Sequence, residues 1–217
     1  ITFIDEQIGR ILETLKKRDM YDNTLIIFFS DHGDMLGDHH LWRKTYAYEA
    51  SAMIPMLLRW PMKMGMNHQR GKKLNQPVEL RDVLPTFLDA AGAPIPNNLD
   101  GKSMLDLVRG NIKNWRQFID LEHSMCYNKD HWNALTDGRF KYIYYAYDGR
   151  EQLFDLRTDP GELNDLAKET SHTNILLKWR QRMVEHLSER GEEFVSGGKL
   201  NIRKKRHLYS PNFPKKG

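Results

Sequence analysis

In the run Ser30-Asp31-His32-Gly33-Asp34-Met35-Leu36-Gly37-Asp38-His39-His40, a carboxylate and an imidazole stand side by side, followed by glycines that allow tight backbone turns. Asp31 and His32 read first as metal ligands, one giving a hard oxygen and the other a ring nitrogen. Twelve residues beyond His32 stands Lys44, whose compact ammonium suits an anionic oxygen. Most lysines are solvated surface charges, so Lys44 gains meaning only from the segment around it. Further along, Glu122-His123 closes a strand-like run and could reach a substrate hydroxyl or leaving group, as could His131-Trp132 by stacking, while His39 and His40 could line the pocket. Half-buried strand residues of no chemical role fit the same positions.

Elements must place these side chains. Thr24-Leu25-Ile26-Ile27-Phe28-Phe29 is a short apolar run that predicts a strand buried on both faces, as in a parallel sheet. Asp31 and His32 then lie just past its carboxyl end, where open α/β sheets bind ligands. Ile1, Ile4, Ile8, Ile11, Leu12 and Leu15 recur at helical spacing before it, with Lys16, Lys17 and Arg18 suited to the last turn. Ala52 to Leu58 reads as a second strand, with Pro55 arguing for an edge or bulge. Asp82 predicts a cap for a helix through Ala90 that Gly92 closes. Asn111 to Asn114 reads as a junction.

After that junction the pattern changes. Phe118–Glu122, Trp132–Leu135, Lys141–Tyr147 and Gln152–Leu156 are strand candidates, with hairpin signals at Asp137-Gly138 and Asp148-Gly149. Ile175, Leu176, Trp179, Met183 and Leu187 form a helical stripe. An antiparallel sheet covered by one helix follows. Tyr142, Tyr144 and Tyr145 read as cross-strand packing, Asp155 and Asp159-Pro160 as a strand end and a turn, and Cys126 as a small buried residue.

The segment from Ser30 through Lys44, with Ile54-Pro55 and Trp60-Pro61, resembles the sulfatases of the alkaline phosphatase superfamily. Asp22-Asn23-Thr24, Asp82-Val83-Leu84-Pro85-Thr86 with Ala91-Gly92, and Leu99-Asp100-Gly101-Lys102-Ser103 match as well. Asp137 to Ile143 and Leu153 to Glu162 look like the family's C-terminal signature. A lone Asp-His-Gly is weak, but ordered motifs at compatible spacing are specific. The resemblance implies an α/β fold: the C-terminal part of an alkaline-phosphatase-like sheet domain (residues 1–113), then a small antiparallel-sheet-and-helix subdomain (114–199) and a basic tail (200–217). It implies hydrolysis of a sulfate ester on a sugar or aryl alcohol, with Lys44 on the sulfate and Asp31 and His32 on the metal. The family's usual ion is Ca²⁺, with Mg²⁺ or Mn²⁺ as alternatives, since calcium prefers oxygen over the His32 nitrogen. The C-terminal domain of such enzymes often contributes substrate contacts, which gives Glu122 and His123 their candidate role. A periplasmic, secreted or lysosomal location is implied.

One family feature is missing. The Cys-x-Pro-x-Arg motif, whose Cys or Ser becomes the formylglycine nucleophile, does not occur, and the only cysteine, Cys126, has neither the Pro nor the Arg beside it. The Asp-Asp metal pair of the family's first strand is absent too. The expectation is therefore a C-terminal portion, inactive alone, whose partner is the N-terminal half of the same protein. Two other readings stay open: a phosphodiesterase or phosphonate monoester hydrolase of the same superfamily, which shares the Asp-His pair and the lysine, and a module without chemistry of its own.

Composition bounds the rest. At 217 residues the chain is long enough to bury a core, and no run approaches the ~20 apolar residues of a membrane span. One cysteine excludes an internal disulfide. The net charge of +4 hides an asymmetry: residues 200–217 hold six basic side chains and no acid, so the remainder carries −2. A basic tail could steer a sulfated polyanion, but a solvated chain end is the simpler reading. No nucleic-acid module accompanies the charge.

Overall fold

The computed structural model describes residues 1–124 and 131–205. Cys126 and the tail residues Arg206, Lys215 and Lys216 lie outside them. The chain divides into two compact units, one of Ile1–Asp31, Ile54–Leu74 and Val78–Trp115, the other of His32–Met53, Asn75–Pro77 and Arg116 onward. The segment that carries His32 and Lys44 thus belongs with the C-terminal strands.

In the first unit, helix α1 (Thr2–Lys17) leads to strand β1 (Ile26–Phe29), which pairs with β2 (Met56–Arg59). The pairing is antiparallel, Ile26 opposite Arg59 and Phe29 opposite Met56. This corrects the expectation of a parallel strand buried on both faces. Among the described residues β1 has β2 as its only sheet neighbour, and a two-stranded ribbon cannot cover both its faces. Phe28 and Phe29 accordingly stay 43% and 39% exposed. Strand β2 begins just after Pro55, where the missing backbone donor is harmless.

Helix α3 (Val83–Ala91) ends as its sequence demands, with Gly92 in the left-handed region at φ 69°. Its start differs from expectation. The Asp82 side chain does not cap α3; it accepts from the Glu79 and Lys102 amides at 2.9 and 2.8 Å. Those amides lie where the chain makes a close approach: a Cβ on Gly101 would stand 1.8 Å from the Arg81 carbonyl oxygen. The short helix α4 (Leu105–Val108) packs with Trp60, Leu25, Leu58 and Ala90 in the core of this unit.

The second unit is built on a four-stranded antiparallel meander of β3 (Ile119–His123), β4 (Trp132–Thr136), β5 (Phe140–Tyr145) and β6 (Arg150–Asp155). Gly138 and Gly149 turn its hairpins with φ of 84° and 78°, as the two Asp-Gly pairs predict. Side chains alternate between the faces, and each face has its own cover. Leu135, Tyr142, Tyr144 and Leu153 pack against Leu176, Trp179, Met183 and Leu187 of helix α5 (Thr173–Ser188). Trp132, Ala134, Ile143, Tyr145 and Phe154 pack instead against Met35, Ala47 and Tyr48. The chemically suggestive segment is therefore the second cover of this sheet.

Candidate active site

Two glycine-dependent features start the segment. The Gly33 amide donates to the Ser51 carbonyl at 2.9 Å, and a Cβ on Gly33 would come within 2.1 Å of the Ala50 carbonyl oxygen. Any larger residue would push the loop away from α2 (Glu49–Ala52). Beyond it, Asp34 Oδ1 accepts from the amides of Leu36 and Arg43 at 3.0 and 3.1 Å. The Met35 amide donates to Arg43 O and that of Gly37 to Leu41 O, at 2.8 and 2.9 Å. These bonds bring Lys44 back beside the start of the loop. Asp34 escaped the sequence reading, although an Asx residue two positions before a loop amide is the signal that could have found it.

The loop is strained. Leu36, His39, His40, Arg43 and Thr45 all have positive φ, and Thr45 reaches 96°. Left-handed geometry is uncommon for residues with a Cβ, and for a β-branched one it is an outlier costing on the order of 1–3 kcal/mol. Contacts to the rest of the second unit offset it. The His39 ring stacks on Tyr48 with centroids 4.0 Å apart, and its Nε2 donates to Gly161 O at 3.0 Å. The Trp132 indole donates to Thr45 O at 2.9 Å. Lys141, fully buried, donates to Ala47 O at 2.8 Å, with Glu49 and Glu162 carboxylate oxygens 2.6 and 2.9 Å from its nitrogen. Burial is the main influence on Glu162 and pushes its carboxyl above the usual range, with Lys141 opposing.

Within this frame His32 and Lys44 meet. His32 Nδ1 lies 2.7 Å from the Gly33 carbonyl, which can only accept, so the proton sits on Nδ1. Nε2 is left with a lone pair, and Lys44 Nζ donates to it across 2.8 Å. An imidazole with its far nitrogen pinned to a carbonyl is the arrangement that orients metal-ligating histidines. Asp31 ends the first unit, two residues past β1. Among the described residues no group of three or more His, Cys, Asp or Glu side chains could hold a metal ion.

The other candidates separate. Glu122 pairs with Arg190 and accepts from Asn133 Nδ2 at 3.2 Å. Strand alternation puts it on the α5 face of the sheet, opposite the loop. His123, its neighbour, lies on the loop face, edge-on to Trp132 at 6.3 Å between centroids. Its Nε2 is buried with no hydrogen-bond partner among the described residues, and desolvation holds its pKa below the ordinary histidine range. His40 is exposed, in the turn after Gly37.

With this geometry in view, residues 37–189 match the family described as N-sulphoglucosamine sulphohydrolase, C-terminal. The chain is 36% identical over 200 residues to an arylsulfatase of Clostridium perfringens, an alignment covering 92% of this chain and 41% of that protein. Among solved structures it resembles a 2-O GAG sulfatase (TM-score 0.76, 25% identity, 86% of this chain and 41% of that one). It also resembles the phosphonate monoester hydrolase of Agrobacterium radiobacter (TM-score 0.72, 28% identity, 86% and 39%). The chain thus spans less than half the length of the proteins it matches. It belongs to the N-sulphoglucosamine sulphohydrolase C-terminal family, the C-terminal portion of sulfatases of the alkaline phosphatase superfamily.

Proposed function

We propose that this chain supplies Lys44 and two metal ligands to the active site of an enzyme that hydrolyses sulfate esters of a sugar or aryl alcohol. The contact of Lys44 Nζ with His32 Nε2 carries the reading: it joins a point charge to the nitrogen best placed to hold a cation. Asp31 and His32 would hold the divalent ion, Ca²⁺ by family resemblance, with Mg²⁺ or Mn²⁺ as the alternatives an imidazole nitrogen admits. When bound, such an ion polarises ester oxygens and supports the nucleophile. Lys44 would turn from His32 toward a sulfate oxygen and neutralise charge that grows as the S–O bond breaks. His123, on the same face of the sheet as Trp132, would contact the leaving group or a sugar hydroxyl, with His40 at the exposed rim. Glu122 is the weakest of these contacts, being engaged by Arg190 on the opposite face.

The nucleophile, a formylglycine, and the remaining ligands would come from an N-terminal half of the same protein, and this chain alone would be inactive. A second reading has its own support: the likeness to a phosphonate monoester hydrolase keeps a phosphorus ester as the alternative substrate, since an ammonium and a metal serve either anion.

The test is an assay of the full-length protein on an aryl sulfate and an aryl phosphodiester, with and without a chelator. Chelator-sensitive sulfate release is expected, and a preference for the phosphodiester would favour the second reading. In the same protein, Lys44→Ala is expected to lower turnover by about 10²–10³-fold with the fold intact. A near-normal rate would remove Lys44 from the mechanism.

A further inference from the structure

We propose that Trp132 and Lys141 are positioning residues for Lys44, gripping the backbone that follows it so that its ammonium is held beside His32, within reach of a sulfate oxygen. This rests on the role just assigned to Lys44. The two donors take the carbonyls of Thr45 and Ala47, one and three residues beyond it, at 2.9 and 2.8 Å. Lys44 itself stands between Arg43 and Thr45, whose φ values are 68° and 96°. Neither conformation is one those residues adopt unaided, so an outside restraint must select it.

Both restraints come from the same sheet face. Trp132 opens β4 and Lys141 lies in β5, with the ring of Trp132 packed in the cluster that also holds Ala47 and Tyr48. Lys141 is equipped for the task and not for exposure. Its ammonium donates to Ala47 O and lies within ion-pair distance of the Glu49 and Glu162 carboxylates. Glu162 accepts in turn from the Glu49 amide at 2.5 Å, so the ammonium fixes the loop's exit at a carbonyl, a side chain and, through Glu162, an amide.

The experiment uses the full-length protein with Trp132→Phe, which removes the indole donor and keeps an aromatic ring, and with Lys141→Arg, which keeps the charge and alters the donor geometry. Steady-state kinetics on an aryl sulfate, melting temperature and amide hydrogen exchange are read for each. Expected are a roughly tenfold or greater fall in kcat, KM within about twofold, a melting temperature near wild type, and faster exchange confined to residues 35–47. Unchanged exchange there, or kcat untouched while exchange rises, overturns the positioning role. Should Trp132→Phe fail to fold, Lys141→Arg decides by the same criteria. Should wild type release no sulfate, the functional reading falls, and the exchange data still decide whether these donors order the loop.

Discussion

His123 carries a buried nitrogen with no hydrogen-bond partner among the described residues, and its desolvation favours the neutral ring. Because its pKa in the fold lies below the unfolded value near 6.5, the unfolded chain takes up the proton first on acidification. The stability His123 contributes is thus complete above about pH 6.5 and drains away as pH falls from there toward its lowered value. His123→Gln is expected to flatten that part of the profile, measured as denaturation midpoint between pH 7 and 5. An unchanged slope would mean that other groups set it. Lys141 poses the opposite problem, a cation that must never lose its partners. Replacing it with Met strands the buried Glu162 carboxylate beside the partly exposed Glu49, and breaking such a buried pair costs up to about 3–5 kcal/mol. Chemical unfolding followed by tryptophan fluorescence would report it.

Helices α3 and α4 show how an element depends on one pair. Arg109 meets Asp89 through two bonds of 2.6 and 2.8 Å, and Ser103 donates a third to the same carboxylate. The Arg109 bond above all holds the Asp89 carboxyl below its usual range. With a folded pKa depressed below the unfolded value near 4, this stability is present above that pH and lost as pH falls through the lowered one. Arg109→Gln is expected to cost about 1–2 kcal/mol near neutrality, discounted for partial exposure, and to blunt acid unfolding of the first unit. A variant that matches wild type at both pH values would contradict this.

The elements were largely legible in the residues. Asp-Gly pairs marked both hairpins because only the glycine tolerates the required φ, and the Ile175–Leu187 stripe marked α5 because its period leaves no other burial. Lys141 was not legible: Phe140-Lys141-Tyr142 reads as ordinary alternation, and the carboxylates that make its burial tolerable lie far away in sequence. The Trp132 bond to Thr45 spans 87 positions and hid for the same reason. Asp31, His32 and Lys44 were visible as types and spacing, but the Nδ1 proton that frees His32 Nε2 depends on a carbonyl orientation no sequence displays. The β1 run was misjudged since its apolar content says that both faces want cover, not that this chain supplies it.

At the scale of the molecule the first unit leaves much apolar surface open. Helix α1 buries none of its residues, and Phe3, Ile11 and Leu57 are 73%, 62% and 58% exposed. No helix among the described residues is long and apolar enough to cross a membrane. Such surface drives association in water. The chain expressed alone is expected to self-associate, seen by light scattering, and co-expression with the N-terminal portion of a full-length protein should suppress it. A monodisperse, cooperatively melting sample of the chain alone would count against that.

The strained turn at Lys44 also has a history in time. Its restraints arrive late, since the donors to Thr45 and Ala47 lie 87 and 94 residues further along. At about 5–20 residues per second of synthesis, the turn leaves the ribosome some 5–20 seconds before anything can bend it into place. The turn at Lys44 is therefore made well before the residues that hold it in shape.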